Sequence, residues 1–190
     1  MRVISGTCKG RPLKAVPGHT TRPTTDKVKE SIFNIIGPFF DGGQGLDLYA
    51  GSGGLGIEAL SRGMERFVFV DQNPKAIEIV QLNLNACRFE DKAELYRNDA
   101  KRALKAVAKR GIKFDVIFLD PPYAKQRLED EIAFIAQNQL LTEDGIIVTE
   151  HDASLTMQET IEEMTCVRQE QYGDTKITIY KNNYDIEYRI

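Results

Sequence analysis

Residues 120–123 read Asp-Pro-Pro-Tyr, and these residue types together suit chemistry on an amine attached to an aromatic base. The lone pair of such a nitrogen is delocalised into the ring, so its attack on an electrophile requires acceptors that hold the N–H bonds. The Asp120 carboxylate and the Pro121 carbonyl can supply two acceptors, and Pro121 and Pro122 stiffen the loop by restricting φ. Tyr123 can stack on an extruded base, a contact worth about 1 to 3 kcal/mol. We predict that these residues form a catalytic corner; the alternative is a plain turn, because Pro and Asp abound in turns.

A glycine-rich turn is predicted at residues 47–56, which read Asp-Leu-Tyr-Ala-Gly-Ser-Gly-Gly-Leu-Gly. Glycine lets the backbone bend tightly and come close to a ligand. Asp71 follows about 20 residues after Gly51, where an acid can hold the hydroxyls of a ribose. The spacing of Gly51, Gly53 and Gly56 also satisfies the dinucleotide-binding pattern, so NAD and FAD are alternative ligands.

Three features favour S-adenosylmethionine over a dinucleotide. Asp47 lies four residues before Gly51. At that position, methyltransferases that use S-adenosylmethionine and have a Rossmann-like sheet keep an acid near the amino-acid end of the ligand. Residues 98–100 read Asn-Asp-Ala and follow an apolar run; there Asp99 can accept a hydrogen bond from adenine or, alternatively, cap a helix. The third feature is the corner at residues 120–123, because open α/β sheets bind ligands beyond the carboxyl ends of their strands. The residues predicted to bind the donor are Asp47, Tyr49, Gly51, Ser52, Gly53, Asp71, Gln72, Asn98, Asp99 and Ala100.

Short apolar runs alternate with helical patterns from about residue 45 onward, which is typical of a parallel sheet covered on both faces. The runs, each predicted to be a strand, are residues 46–49, 67–70, 93–96, 114–119 and 146–148. Residues 164–172 and 175–181 then flank a turn with no helix between them, so these last two strands must be antiparallel. A mostly parallel α/β sheet of seven strands with an antiparallel end is the arrangement of the class I, Rossmann-like methyltransferases that use S-adenosylmethionine.

We expect one compact unit, in which residues 1–40 extend a methyltransferase domain at residues 41–190. The extension is predicted to begin with two short extended segments around a turn. A helix follows, which Thr24 or Thr25 can cap and which ends near Gly37.

The net charge of −3 hides two basic segments. Residues 1–30 carry seven Lys or Arg against two acids, and residues 101–113 carry six Lys or Arg and no acid. A cationic segment can bind a polyanion such as RNA, but it can equally be a solvated face. Arg22 and Thr24 have two readings as well: a capping loop, or contacts with the donor carboxylate or an RNA phosphate.

Several classes of protein are poorly supported by the sequence. Three cysteines without a Cys-x-x-Cys pair and two histidines outside any metal motif argue against a metal site, a redox motif or a His-based triad. No apolar run reaches the roughly 20 residues of a membrane span, and the first residues do not form a signal peptide. We expect a cytoplasmic monomer without bound metal.

Taken together, these motifs resemble the RsmD-type 16S ribosomal RNA guanine-N2 methyltransferases of bacteria, over nearly the whole chain. The specific part is the N-terminal region, which reads Met-Arg-Val-Ile-Ser-Gly at residues 1–6, Lys-Gly-Arg at 9–11 and Arg-Pro-Thr at 22–24. The resemblance implies S-adenosylmethionine as donor and a guanine N2 amine in 16S rRNA, free or in a 30S subunit or its assembly intermediate, as acceptor. It also implies that Arg22 and Thr24 lie at the lid of the site and that Tyr123 handles the guanine. The family more often has Ala at position 54 and often Phe at position 123.

Three rival functions stay open. The nearest is an enzyme that methylates adenine N6 in nucleic acid or a glutamine amide in protein. A more distant one is an NAD-dependent oxidoreductase that uses the same glycine turn, although no His or Lys that could handle a hydride accompanies it. The third is a non-catalytic RNA-binding protein that has kept only the fold.

Overall fold

The computed structural model describes residues 1–18, 25–122 and 125–183. The chain divides into two compact units, Met1–Ala100 and Lys101–Ile190. The elements up to residue 100 are α1 (Asp26–Ile36), β1 (Gln44–Asp47), α2 (Gly54–Ser61), β2 (Arg66–Asp71), α3 (Pro74–Cys87), a 3-10 turn (Glu90–Lys92) and β3 (Ala93–Arg97). The later elements are α4 (Ala100–Arg110), β4 (Phe114–Leu119), α5 (Lys125–Gln137), β5 (Leu141–Asp152), β6 (Thr160–Ile161), β7 (Met164–Tyr172) and β8 (Thr175–Asn182).

The first unit contains three parallel strands in the order β3, β2, β1. Leu46 of β1 and Phe69 of β2 are completely buried. Burial explains the continuous apolar run of β2, whereas β1 reads Gln-Gly-Leu-Asp. Helix α2 packs closely on these strands at Gly56, where a Cβ atom would come within 2.3 Å of the Phe69 ring. The absence of a side chain at Gly56 is therefore a packing requirement.

The second unit pairs β4 with β5 in parallel and then continues with antiparallel strands. β8 pairs with β5 and β7, and the turn between β7 and β8 brings Tyr172 opposite Thr175. The predicted α/β fold with antiparallel C-terminal strands is confirmed. The described residues contain eight strands rather than seven, because Thr160–Ile161 forms a two-residue strand that pairs with β7.

The N-terminal segments pair with each other more loosely than strands do. The amide of Val3 donates to the Arg11 carbonyl at 2.9 Å, and that of Gly10 donates to the Val3 carbonyl at 2.8 Å. Only the single bridge between Arg2 and Pro12 has strand-like pairing in this described segment. The two extended segments thus form an arm, residues 1–16, rather than a regular hairpin.

The predicted first helix is confirmed as α1, which begins at Asp26 and ends at Ile36. The Thr25 hydroxyl accepts a hydrogen bond from the Val28 amide at 3.2 Å, so Thr25 is the cap. Thr24 lies outside the described residues.

The boundary near residue 40 between the N-terminal extension and the methyltransferase domain stays a prediction. No helix in the described ranges combines the length and the apolar character that a membrane span requires.

Candidate functional site

The ends of β1 and β2 are joined through the carboxylate of Asp71. One carboxylate oxygen accepts a hydrogen bond from the Gly51 amide at 2.9 Å, and the other accepts from the Asn73 amide at 2.9 Å. A carboxylate offers about four lone-pair positions, so two backbone bonds leave acceptor capacity for further donors. Asp71 is partly exposed. Asp71, the predicted ribose-binding acid, is therefore held at the glycine turn with acceptor capacity to spare.

The glycine turn is open on the side where a side chain would stand. Gly51 has a φ of +56°, and within the described ranges no heavy atom beyond Gly51 and its two chain neighbours lies within 4 Å of the position that its Cβ would occupy. The left-handed conformation favours glycine because other L residues are strained there. The Gly53 amide donates to the Ala50 carbonyl at 2.8 Å and closes the turn just before α2 begins. A ligand can thus approach the backbone at Gly51 directly.

The third predicted segment of the donor site lies beside Asp71. The amide of Asn98 donates to the backbone carbonyl of Asp71 at 3.1 Å, and the side-chain oxygen of Asn98 accepts from the Asp99 amide at 3.0 Å. Asp99 is partly exposed and Ala100, the first residue of α4, is buried. The structure therefore brings together predicted residues from the ends of β1, β2 and β3.

The remaining predicted donor residues differ in exposure. Asp47 is 2% exposed, and its carboxylate accepts a hydrogen bond from the Tyr49 amide at 3.1 Å. Tyr49 and Ser52 are partly buried, whereas Gln72 is exposed. Asn83 of α3 donates to the Ser52 carbonyl at 2.8 Å and so fixes the turn from the helix side.

The predicted catalytic corner directly follows β4 in the second unit. Asp120 is partly buried, Pro121 is buried and Pro122 is exposed. Tyr123 lies outside the described residues, as do Arg22 and Thr24. The roles of these residues stay predictions. Among the residues that the structure describes, no group of three or more His, Cys, Asp or Glu could hold a metal ion.

A buried charged cluster that the sequence patterns did not reveal holds the arm against α2. Glu58 is completely buried and accepts hydrogen bonds from the amides of Ile4 at 2.9 Å and Ser5 at 3.1 Å. Arg62 donates to the same carboxylate at 2.9 Å, and the Lys29 ammonium lies 3.7 Å from it. A retrospective signal exists in the sequence: Glu58 is the one charged residue in α2, and Arg62, which caps the end of that helix, follows it by four residues.

The two cations of this cluster extend it to α1 and to the loop that follows. Lys29 is fully buried and donates to the Arg2 carbonyl at 2.6 Å. Burial lowers the pKa of Lys29, and the carboxylates of Glu58 and Asp26 oppose that shift. The Arg62 guanidinium lies 5.0 Å from the centre of the Phe33 ring. The cluster therefore fixes the basic arm to the helix that begins at the glycine turn.

Comparisons with known proteins agree over most of the chain. The family model described as conserved hypothetical protein 95 matches residues 1–181. The chain is 59% identical over 181 residues to the putative rRNA methyltransferase YlbH of Bacillus subtilis, covering 95% of this chain and 98% of that protein. It is 32% identical over 185 residues to ribosomal RNA small subunit methyltransferase D of Haemophilus influenzae, covering 96% and 94%. The solved structure of the putative methyltransferase yhhF from Escherichia coli superposes with a TM-score of 0.80 at 29% identity, covering 96% of this chain and 97% of that one.

Proposed function

We propose, from the premise that this chain belongs to the family described as conserved hypothetical protein 95, that it is a ribosomal RNA methyltransferase. The reaction that we propose moves a methyl group from S-adenosylmethionine to the exocyclic N2 amine of a guanine in 16S rRNA. Relatives named as rRNA methyltransferases support the RNA substrate. The observation that carries the donor assignment is the pair of hydrogen bonds by which the amides of Gly51 and Asn98 both donate to Asp71.

The residues of the first unit fit the proposed donor. Asp71 retains acceptor capacity for the ribose hydroxyls, and the backbone at Gly51 is open to a ligand. Asp99 would accept a hydrogen bond from the adenine amino group, and Asp47 would lie near the amino-acid end. When bound, S-adenosylmethionine supplies an electrophilic methyl group on a sulfonium.

In this proposal the corner after β4 handles the acceptor amine. The Asp120 carboxylate and the Pro121 carbonyl would accept hydrogen bonds from the two N–H groups of the guanine amine. These contacts favour a tetrahedral nitrogen, whose lone pair can attack the methyl group of the donor. Tyr123 would stack on the base. Asp120 needs no unusual basicity, because the proton can leave after the methyl group has been transferred.

The test is transfer of a labelled methyl group to 16S rRNA, offered as naked RNA, as assembly intermediates and as finished 30S subunits. We expect Asp120→Ala to abolish transfer while affinity for S-adenosylhomocysteine stays within a few-fold. Asp144→Ala is the matched control, because Asp144 is an exposed aspartate near the start of β5. Turnover at the wild-type rate in Asp120→Ala would refute the assigned role.

Two further measurements separate the rival functions. Mass spectrometry of nucleosides from the labelled RNA distinguishes N2-methylguanosine from N6-methyladenosine, and labelled protein would point to glutamine methylation. Calorimetric titration with S-adenosylhomocysteine and with NAD distinguishes the donor from a dinucleotide. Binding of NAD without binding of S-adenosylhomocysteine would overturn the donor assignment.

A further inference from the structure

Helix α4 and the turn after it carry a dense positive charge. The exposed cations, which we call the α4 face, are Lys101, Arg102, Lys105, Lys109, Arg110 and Lys113. No acidic residue lies between residues 101 and 113, whereas the other 177 residues carry 19 Lys or Arg and all 28 Asp or Glu. A chain whose other residues carry a net negative charge therefore displays a run of six exposed cations with no acid among them.

The cations occupy the side of α4 opposite to its buried face. Ala103, Leu104 and Val107 are each no more than 4% exposed. Lys101, Lys105 and Lys109 recur every four residues, so they lie on one face with a rise of about 6 Å between neighbours. That separation is comparable to the distance between successive phosphates along one nucleic-acid strand. The stripe is therefore matched in sign and in spacing to a sugar-phosphate backbone.

Part of this charge works against the helix itself, whereas Lys109 and Arg110 in the last turn suit the helix dipole. Like charges four residues apart destabilise a helix, and α4 contains two such lysine pairs in its central stripe. Lys101 also lies in the first turn, where the helix dipole favours an anion rather than a cation. A solvated face needs no single sign, so solubility alone does not explain this pattern. A bound polyanion removes both penalties.

The row of α4 beside the lysine stripe has a short side chain between two cations. Ala106 is exposed and lies four residues from both Arg102 and Arg110, so its methyl group leaves the phosphates of a strand room to approach the guanidinium groups on either side. Contacts of this kind go to phosphates rather than to base edges, so they position a nucleic acid without reading its sequence. The features of the α4 face thus fit a backbone-binding surface better than a base-reading one.

We propose that the α4 face binds the RNA substrate through its phosphates and so sets RNA affinity rather than the chemistry of methyl transfer. This proposal rests on the proposed function only for the identity of the polyanion. A binding measurement that involves no methyl transfer can test it separately.

The experiment uses the full chain and a fluorescently labelled 16S rRNA fragment, with binding measured over a series of KCl concentrations. We expect the variant Lys101→Gln/Lys105→Gln/Lys109→Gln to bind about 10- to 100-fold more weakly near physiological salt. The slope of log affinity against log salt should fall by about 2 to 3, because each phosphate contact contributes about 0.7 to 0.9. Affinity for S-adenosylhomocysteine should stay at the wild-type value, and the melting temperature should stay at the wild-type value or rise slightly, because two like-charge pairs are removed.

The matched control is Arg66→Gln/Lys92→Gln/Arg168→Gln, which removes the same charge from exposed positions on β2, the 3-10 turn and β7. The proposal for the α4 face would be overturned by either of two results: a binding curve of the lysine variant that superposes on that of wild type, or an equal loss of RNA affinity in the control variant. A protein that methylates 16S rRNA but shows that result keeps its function and loses this surface. A protein that methylates no RNA but shows the expected loss in the lysine variant keeps the surface and loses the proposed function.

Discussion

Replacing Glu58 with glutamine would remove a fully buried carboxylate that lies between two buried cations. Nζ of Lys29 lies 3.7 Å from one carboxylate oxygen, and Nε of Arg62 lies 2.9 Å from the other. Both cationic side chains are at most 3% exposed, so water cannot solvate the positive charges that would lose their carboxylate partner. Glutamine also presents an amide group where the carboxylate now accepts hydrogen bonds from the amides of Ile4 and Ser5. One of these backbone donors would therefore face another donor.

The expected loss of unfolding free energy is about 3 to 5 kcal/mol, the range found when one partner of a buried ion pair is removed. For a chain of this length, 1 kcal/mol shifts the melting temperature by about 2 to 4 °C, so the variant should melt about 6 to 20 °C lower. Burial already lowers the pKa of Lys29. Loss of the Lys29 proton in the variant would reduce the penalty, so we expect the lower half of both ranges.

Urea unfolding and calorimetry of wild type and variant measure this loss. Glu78→Gln is the control, because Glu78 pairs with Lys75 at 3.0 Å on the surface and both side chains are more than half exposed. The control should lose less than about 1 kcal/mol. Hydrogen exchange adds a local readout, since the amides of Ile4 and Ser5 should exchange faster in Glu58→Gln. A free energy of unfolding within 1 kcal/mol of wild type would refute the claim that Glu58 neutralises the cluster.

Three further predictions follow from groups elsewhere in the chain. Burial lowers the pKa of His151 below its ordinary value, so the native state binds that proton more weakly than the unfolded state does. The free energy of unfolding should therefore fall as the pH drops below about 6.5. Urea titrations at pH 7.5 and 5.5 should show a smaller difference for His151→Gln than for wild type. Burial and a hydrogen bond with the Cys8 thiol raise the pKa of Cys87 to about 12, so iodoacetamide at pH 8 should label Cys87 only after unfolding, as peptide mass mapping would show. Gly51→Ala should cost about 1 to 2 kcal/mol of stability and also weaken binding of S-adenosylhomocysteine in calorimetry, because the methyl group enters the open space over the turn.

Each of these predictions has a control and a contradicting result. Gly173→Ala places the same strain at a φ of +60° with equally open surroundings, but in the hairpin between β7 and β8, so it should lower stability and leave ligand affinity unchanged. Equal affinity in the two glycine variants would argue against a ligand at Gly51. A pH dependence that survives in His151→Gln would remove that histidine as its cause. Rapid labelling of Cys87 in the native protein would contradict its burial.

The parts of the fold that local chemistry determines could be predicted from the sequence. Residues 67–70 form a continuous apolar run because β2 is buried on both faces, and the strand found there is Arg66–Asp71. Asn73 caps α3 by accepting a hydrogen bond from the Lys75 amide at 2.9 Å, and Pro74 stands in the first turn, both residue types that favour a helix start. The two-residue strand β6 has no such signature, because its pairing depends on β7 rather than on its own composition.

The predicted donor site and the charged cluster differ in two respects. The first is how far apart their residues lie in the sequence, and the second is whether a known sequence pattern connects those residues. Asp71 and Gly51 could be linked because a spacing of about 20 residues recurs wherever a glycine turn and the next strand end share a ligand. No comparable rule links Glu58 to Ile4 or to Lys29, since those contacts arise only when the arm and α1 fold back onto α2. Yet the two are physically connected, because α2 begins at Gly54, directly after the glycine turn, and holds the arm about one turn later. Any RNA contact that the basic arm makes is therefore positioned by the same helix that follows the glycine turn, the proposed site of the donor.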